Sequence, residues 1–211
     1  VSLTTRIATT LDAAVLSELA GATFALACPP HTTPEAIDAF IAEHFTQERF
    51  AEHLADPDCV ILIAESGTDS GTDSGTEGGT ERGTEGESGS APDSAAGTGS
   101  GRPPVGYSLL LYGEPTDADV ASSISLRPTV QLSKFYTRAE AHGTGVAAPL
   151  MQATLAEAAR RPVTGIWLGV NEENTRAIRF YEKSGFAKVG RKHFLVGDRQ
   201  EDDDVLERPL G

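Results

Sequence analysis

The sequence predicts an α+β domain, and three observations carry that prediction. A strand at 130–137 (VQLSKFYT) enters a glycine-bearing turn at 142–148, a helix runs on to 159, and a nearly continuous apolar run, GIWLGV, occupies 165–170. Strand, turn, helix and strand make a right-handed βαβ unit, its last strand buried on both faces. A second helix, NTRAIRFYEKSGF at 174–186, opens on Asn174 as N-cap and stops at Gly185. Beyond it, FAKVGRKHFLVGDRQEDDDVLERPL reads as two strands around an acidic turn, Gln200 to Asp204.

The N-terminal half supplies the other elements. LTTRIA at 3–8 is a strand, and Thr10 or Asp12 is the expected cap of a helix whose apolar face is Ala13, Leu16, Leu19 and Ala20. Thr33-Pro34-Glu35 opens a helix with cap then proline, and Ile37, Phe40, Ile41, His44 and Phe45 follow at helical spacing. QERFAEHLAD at 47–56 is a short helix ended by Pro57, CVILIAE at 59–65 a strand, and PPVGYSLLLYG at 103–113 another. Between those strands, residues 66–102 repeat a Gly-Thr-acid unit without one large apolar side chain. Such a stretch cannot bury enough surface to offset its ordering entropy, so a disordered insertion within a single domain, 1–211, is expected.

Composition excludes some classes. At 211 residues and 39% hydrophobic content the chain can build one core. It has no apolar run near the ~20 residues of a membrane span and no signal-peptide pattern at its start, so a cytoplasmic protein is expected. A net charge of −14 disfavours nucleic acid and anionic membranes as partners, though part of it sits in the insertion. Cys28 and Cys59 suggest no disulfide, and His31, His44 and His53 lack the spacing of metal ligands. The Asp cluster at 202–204 lacks the alternation and glycine of a calcium loop. No metal is expected.

The turn carries the chemistry. Gly143 and Gly145 let the backbone approach a ligand, the first N–H groups of the following helix have no internal partner, and Pro149 gives up a donor the helix does not need. By spacing alone this fits a phosphate site or a tight strand-to-helix turn equally. A dinucleotide site would need a third glycine and a terminal acid, but residue 148 is Ala and the next strand ends Gly169-Val170-Asn171.

The turn resembles the Arg/Gln-x-x-Gly-x-Gly/Ala signature of the GNAT family of N-acetyltransferases, with Gly145 and Ala147 in its last two places and His142 where Arg or Gln usually stands. The second helix is similar to that family's Asn-x-x-Ala-x-x-x-Tyr-x-x-x-Gly-Phe motif, at Asn174, Ala177, Tyr181, Gly185 and Phe186. Residues 165–203 also resemble the PaiA-type spermidine/spermine N-acetyltransferases, although Ser133 replaces their strand Glu.

The resemblance implies a three-layer acyltransferase fold, a mixed central sheet with flanking helices, in which the insertion expands the turn between the second and third strands. It also implies transfer from acetyl-CoA to a primary amine of a small, polyamine-like molecule, by a monomer or homodimer. Backbone N–H groups of Gly143, Thr144, Gly145, Val146, Ala147 and Ala148 would cradle the pyrophosphate, with His142 beside it in the place of the family's Arg or Gln. Phe135, Tyr136 and Thr137 would line the thioester arm and stabilise its oxygen, and Asn171 and Asn174 would position the cofactor. Tyr181 would return a proton to the thiolate. By periodicity alone Tyr181 is a core residue. Tyr136 or a water on Ser133 are the base candidates. A catalytically silent sensor of acetyl-CoA or amine, or a peptide N-acetyltransferase, are the alternative readings.

Overall fold

Strand alternation and antiparallel hairpins build most of the sheet. The computed structural model describes residues 3–29, 31–67, 102–196 and 199–211. Seven strands lie in the order β1-β2-β3-β4-β5-β7-β6: β1 Leu3–Ile7, β2 Cys59–Ser66, β3 Pro104–Tyr112, β4 Thr129–Thr137, β5 Gly165–Asn171, β6 Ala187–Val196 and β7 Arg199–Pro209. β4 and β5 are parallel, and every other neighbouring pair is antiparallel. Six α-helices flank the sheet: α1 Ala13–Phe24, α2 Pro34–His44, α3 Gln47–Ala55, α4 Ala118–Ser123, α5 Ala147–Ala158 and α6 Thr175–Lys183.

The helices divide between two faces. Leu150, Met151 and Ala158 of α5 and Tyr181 of α6 pack on Leu62, Leu110, Val130, Leu132, Ile166 and Leu168. Leu16, Leu19 and Ala20 of α1, with Phe45 and Phe50, pack on Ile61, Ile63, Tyr107 and Leu109 of the opposite face. These alternate residues of β2 and β3 are what a sheet covered on both sides requires. The expected pairing of β2 with β3 is present, and Ser66 N–H donates to the Pro103 carbonyl at 3.2 Å where the insertion begins and ends. Its expected disorder concerns residues that, from 68 to 101, lie outside the described ones.

Two local expectations change, and one helix, α4, stands where none was expected. Neither Thr10 nor Asp12 caps α1 through its side chain: residues Thr10–Asp12 form one 3-10 turn, and the Asp12 carboxylate turns back to the Thr9 N–H at 2.8 Å. Arg6 takes that carboxylate in a two-pronged contact, 2.8 and 2.7 Å, and reaches Glu65 at 2.8 Å. The residues at 200–204 are not an exposed turn but part of β7. Asp203 and Asp204 are buried there, opposite Lys192 and Arg191 of β6. Lys192 pairs with Asp203 at 3.4 Å and Lys188 pairs with Asp204, so cross-strand charge keeps an acidic run in a sheet. Finally, α4 is too short to carry a helical period. Asp117 caps it, accepting from Asp119 and Val120 N–H, and Val120 and Ile124 cover Trp167.

The Arg6 contact is a stability element with a pH signature. Arg6 holds the Asp12 carboxyl below its usual value, chiefly through their hydrogen bonds. Asp12→Ala should cost about 2–4 kcal/mol, since it leaves a partly buried guanidinium without its main partner. The contribution is complete above the unfolded carboxyl value of roughly 3.9 and is lost as pH falls through the lower folded value. Urea unfolding should therefore find the gap between wild type and variant widest near neutrality and narrowing below about pH 4. A gap that stays constant to pH 2 would remove Asp12 from this role.

Candidate active site

The site exists because β4 and β5 part company. They are paired only over Thr129, Val130 and Gln131 against Gly165, Ile166 and Trp167. From Leu132 to Thr137, β4 keeps its bonds to β3 while its outward row of N–H and C=O groups has no strand partner on the β5 side. Unpaired backbone groups of this kind await a ligand or solvent.

The cleft holds a cavity of about 280 Å³ that reaches from Asn171, Asn174 and Tyr181 on one side to Phe24, Phe45 and Lys134 on the other. A neighbouring cavity of about 170 Å³ continues toward His142 and Ala147. Phe135, Tyr136, Asn174 and Tyr181 line both, Asn171 the first, and Thr137, His142 and Ala147 the second.

The turn residues sit beyond the second cavity. Gly143 and Gly145 have φ of +79° and +88°, and a Cβ at either would meet nothing within 4 Å. Both glycines are thus needed for the left-handed backbone as well as for an open approach. Thr144 is exposed, but its N–H and hydroxyl both bend back and donate to the Ala141 carbonyl, at 3.3 and 2.8 Å. Val146 precedes α5 without any side-chain cap and packs its own side chain in the core, while Ala148 is exposed. An uncapped helix start with free N–H groups, next to a conformationally open glycine, suits an anion.

α6 forms the other wall for local reasons. Asn174 caps it, its Oδ1 accepting from Ala177 N–H at 3.1 Å, and Gly185 ends it at a φ of +88°. With Oδ1 engaged, the Asn174 amide group is left as a donor toward the cavity. Tyr181 is a core residue that also faces the cleft. It is buried against Phe135, Phe180 and Phe186, with ring centroids 6.3, 5.6 and 5.8 Å away, yet it lines both cavities. Burial pushes its phenol, and that of Tyr136, well above the usual range. Tyr136 therefore holds its proton more tightly than an ordinary phenol, which weakens it as a base candidate. Neither cysteine is a nucleophile candidate: burial raises the Cys28 thiol and pushes that of Cys59 up to about 12.

Two cations were missed. Arg176 of α6 places Nη1 3.0 Å from His142 Nδ1. A guanidinium can only donate, so His142 accepts there, and a positive charge stands beside the position where the family keeps Arg or Gln. Its signal was present: a cation in the first turn of a helix opposes the dipole, which suggests an anion nearby. Lys134 is the other, an ammonium next to the aromatic pair Phe135 and Tyr136 of β4.

The sheet, with its V-shaped gap over a glycine turn, defines an acyl-CoA-binding acyltransferase architecture. The Acetyltransferase (GNAT) family model matches residues 95–186. An uncharacterized N-acetyltransferase of Mycobacterium tuberculosis is 36% identical over 199 residues, covering 94% of this chain and 98% of that protein. Among solved structures, the PaiA N-acetyltransferase of Thermoplasma acidophilum in complex with coenzyme A superposes with a TM-score of 0.65 at 16% identity, over 99% of each chain. Arabidopsis thaliana NAA60 in complex with a bisubstrate analogue gives 0.64 at 16% identity, over 100% of each. The chain belongs to the GNAT acetyltransferase family. It is an N-acetyltransferase, for which acetyl-CoA is the cosubstrate.

The turn can be tested directly. Gly145→Asp and Gly145→Asn add side chains of equal size at the same positive φ, so they share the backbone penalty. Only Asp adds a negative charge at the helix start. Acetyl-CoA affinity, measured calorimetrically on variants with native circular dichroism, should fall about tenfold further for Asp, equivalent to ~1.4 kcal/mol of repulsion. Equal affinities would place the pyrophosphate away from residue 145.

Proposed function

We propose that the enzyme acetylates a primary amine of a small molecule in a ternary complex. The observation that carries this reading is a pair of adjoining cavities that share Asn174 and Tyr181, one reaching His142 and Ala147 beside the glycine turn, the other an aromatic-walled chamber of about 280 Å³. In this reading the residues at 143–148, with Arg176, hold the pyrophosphate. The free backbone row of β4 near Phe135, Tyr136 and Thr137 lines the thioester arm and stabilises its oxygen as negative charge grows there. Asn171 and Asn174 fix the arm from the other side.

The acceptor nitrogen forms a bond to the acetyl carbon as the carbon–sulfur bond breaks. One proton leaves the nitrogen, and one is returned to the sulfur. Tyr181 is the donor, because burial keeps its phenol protonated and its ring is locked by three aromatic neighbours. The same dry surroundings raise the thiolate's own appetite for a proton, which offsets the weaker acidity of the phenol. Ser133 lines the first cavity and can hold a water that carries the nitrogen's proton away. The polyamine reading is the weaker part, since the Glu of the PaiA-type enzymes is absent at Ser133 and the chamber holds two lysines.

Thiol release from acetyl-CoA across a panel of small amines tests the activity. Release with none of them, in a protein that still binds acetyl-CoA, would turn the reading to a sensor. Tyr181→Phe should keep the fold and lower kcat by roughly 10²–10⁴-fold, with little change in KM for acetyl-CoA. Wild-type kcat in a rate regime limited by chemistry would make Tyr181 a core residue only.

A further inference from the structure

The acceptor chamber contains two ammonium groups in different circumstances. Lys192 lies against Asp203 at 3.4 Å. Lys134 has no carboxylate paired with it among the described residues. Its Nζ sits over the ring of Phe45, 5.4 Å from the centroid, on the wall made by Phe24, Phe40 and Phe45.

Lys134 reaches this place through an irregularity in β4. Leu109 pairs with Lys134 and Leu110 with Leu132, so Ser133 is an extra residue and Lys134 is turned to the α1–α3 face. The groups whose charge it feels there are the Cys59 thiol and the His53 imidazole. Burial pushes the first up to about 12 and lowers the second, so both are neutral near pH 7. Burial also lowers Lys134. A desolvated cation without a counter-charge is costly, and the arrangement becomes favourable when an anion enters beside it.

We propose that Lys134 anchors a carboxylate of the acceptor, so that the substrate class is an amino acid or similar amino-carboxylate and not a polyamine. This rests on the acetyltransferase reading of the same cleft. One unpaired ammonium balances the single charge of a carboxylate, whereas a phosphate ester carries nearly two. A polyamine would set further positive charge beside Lys134 and Lys192, where only Lys192 has a partner. The aromatic wall offers apolar surface to the side chain of such an acceptor, and the Tyr181 end receives its amine.

The test compares matched acceptors: a panel of aliphatic and aromatic α-amino acids, their α-amides, and spermidine, followed by thiol release. Wild type should use at least one amino acid with a kcat/KM tenfold or more above its own amide and above spermidine. Lys134→Met should erase that preference, mostly through the acceptor KM, and leave acetyl-CoA affinity unchanged. Lys134→Arg should restore part of it. Spermidine as the better substrate, or an acid-over-amide preference that survives Lys134→Met, would overturn the proposal.

A binding measurement keeps it separate from the activity itself. The N-acetylated amino acids and their amides are titrated into the protein loaded with coenzyme A. The acids should bind at least tenfold tighter to wild type and equally to Lys134→Met, whether or not turnover is seen. Equal binding to wild type, or no binding of either, would remove the carboxylate site. Failure of thiol release with this binding difference intact would instead sink only the transfer reading.

Discussion

Everything in this molecule that serves chemistry depends on a sheet that stops pairing halfway along two parallel strands. β4 and β5 hold each other over three residue pairs, and there the packing is tight: a Cβ on Gly165 would fall 2.4 Å from that of Leu126. Past Gln131 and Trp167 the strands separate, and rings fill the inner part of the wedge. Phe135 stands 5.5 Å from Phe180 and 6.3 Å from Tyr181, with Phe186 behind. The wedge thus has an apolar floor and one polar wall, the outward backbone row of β4. A parallel sheet would ordinarily bury that row against its neighbour. Left open, the row is met by solvent or by a ligand with its own amides and carbonyls, which is the chemical character of a pantetheine arm.

Charge is arranged locally and against the chain's overall balance. The net charge of −14 describes the outside and the insertion more than the interior. Inside, each buried acid of the described residues faces a cation or backbone N–H groups. Glu207 accepts from Ser125 and Leu126 N–H at 3.0 and 2.8 Å and fixes the loop before β4. Asp203 and Asp204 face the lysines and arginine of β6, and Asp12 and Glu65 share Arg6. The same economy makes Lys134 informative. In an interior where buried charges are matched, a cation facing a cavity has its match in whatever the cavity receives.

The parts of the fold set by neighbouring residues were legible in the sequence. Asn174 and Gly185 bound α6, Thr33 and Pro34 open α2, and the apolar faces of α1 and α5 follow their periods, because caps and helical spacing act within a few residues. The glycine turn was legible too, although its reason is double, a positive φ as well as a close approach. What failed depended on pairing across the chain. Gln200 to Asp204 read as a turn because their acids repel and suit solvent, and what offsets this is the run Arg191, Lys192 and His193 of β6, opposite Asp204, Asp203 and Asp202. Asp12 looked like a cap because its competitor, Arg6, belongs to another element.

The acceptor side of the site was illegible for a more specific reason. Read by strict alternation, Leu132 and Lys134 share one face of β4, Ser133 and Phe135 the other, and the lysine would point into the core with α5. The structure puts Leu132 and Phe135 on the α5 face and Lys134 and Tyr136 on the α1–α3 face. One extra residue, Ser133, makes the difference, since a shift of one exchanges every side chain between faces. Nothing in VQLSKFYT marks where the pairing slips, because the register is held by β3 and the irregularity falls between Leu109 and Leu110. The bulge therefore does two things at once. It brings Phe135 against Tyr181, and it delivers Lys134 to the aromatic-walled chamber proposed for the acceptor.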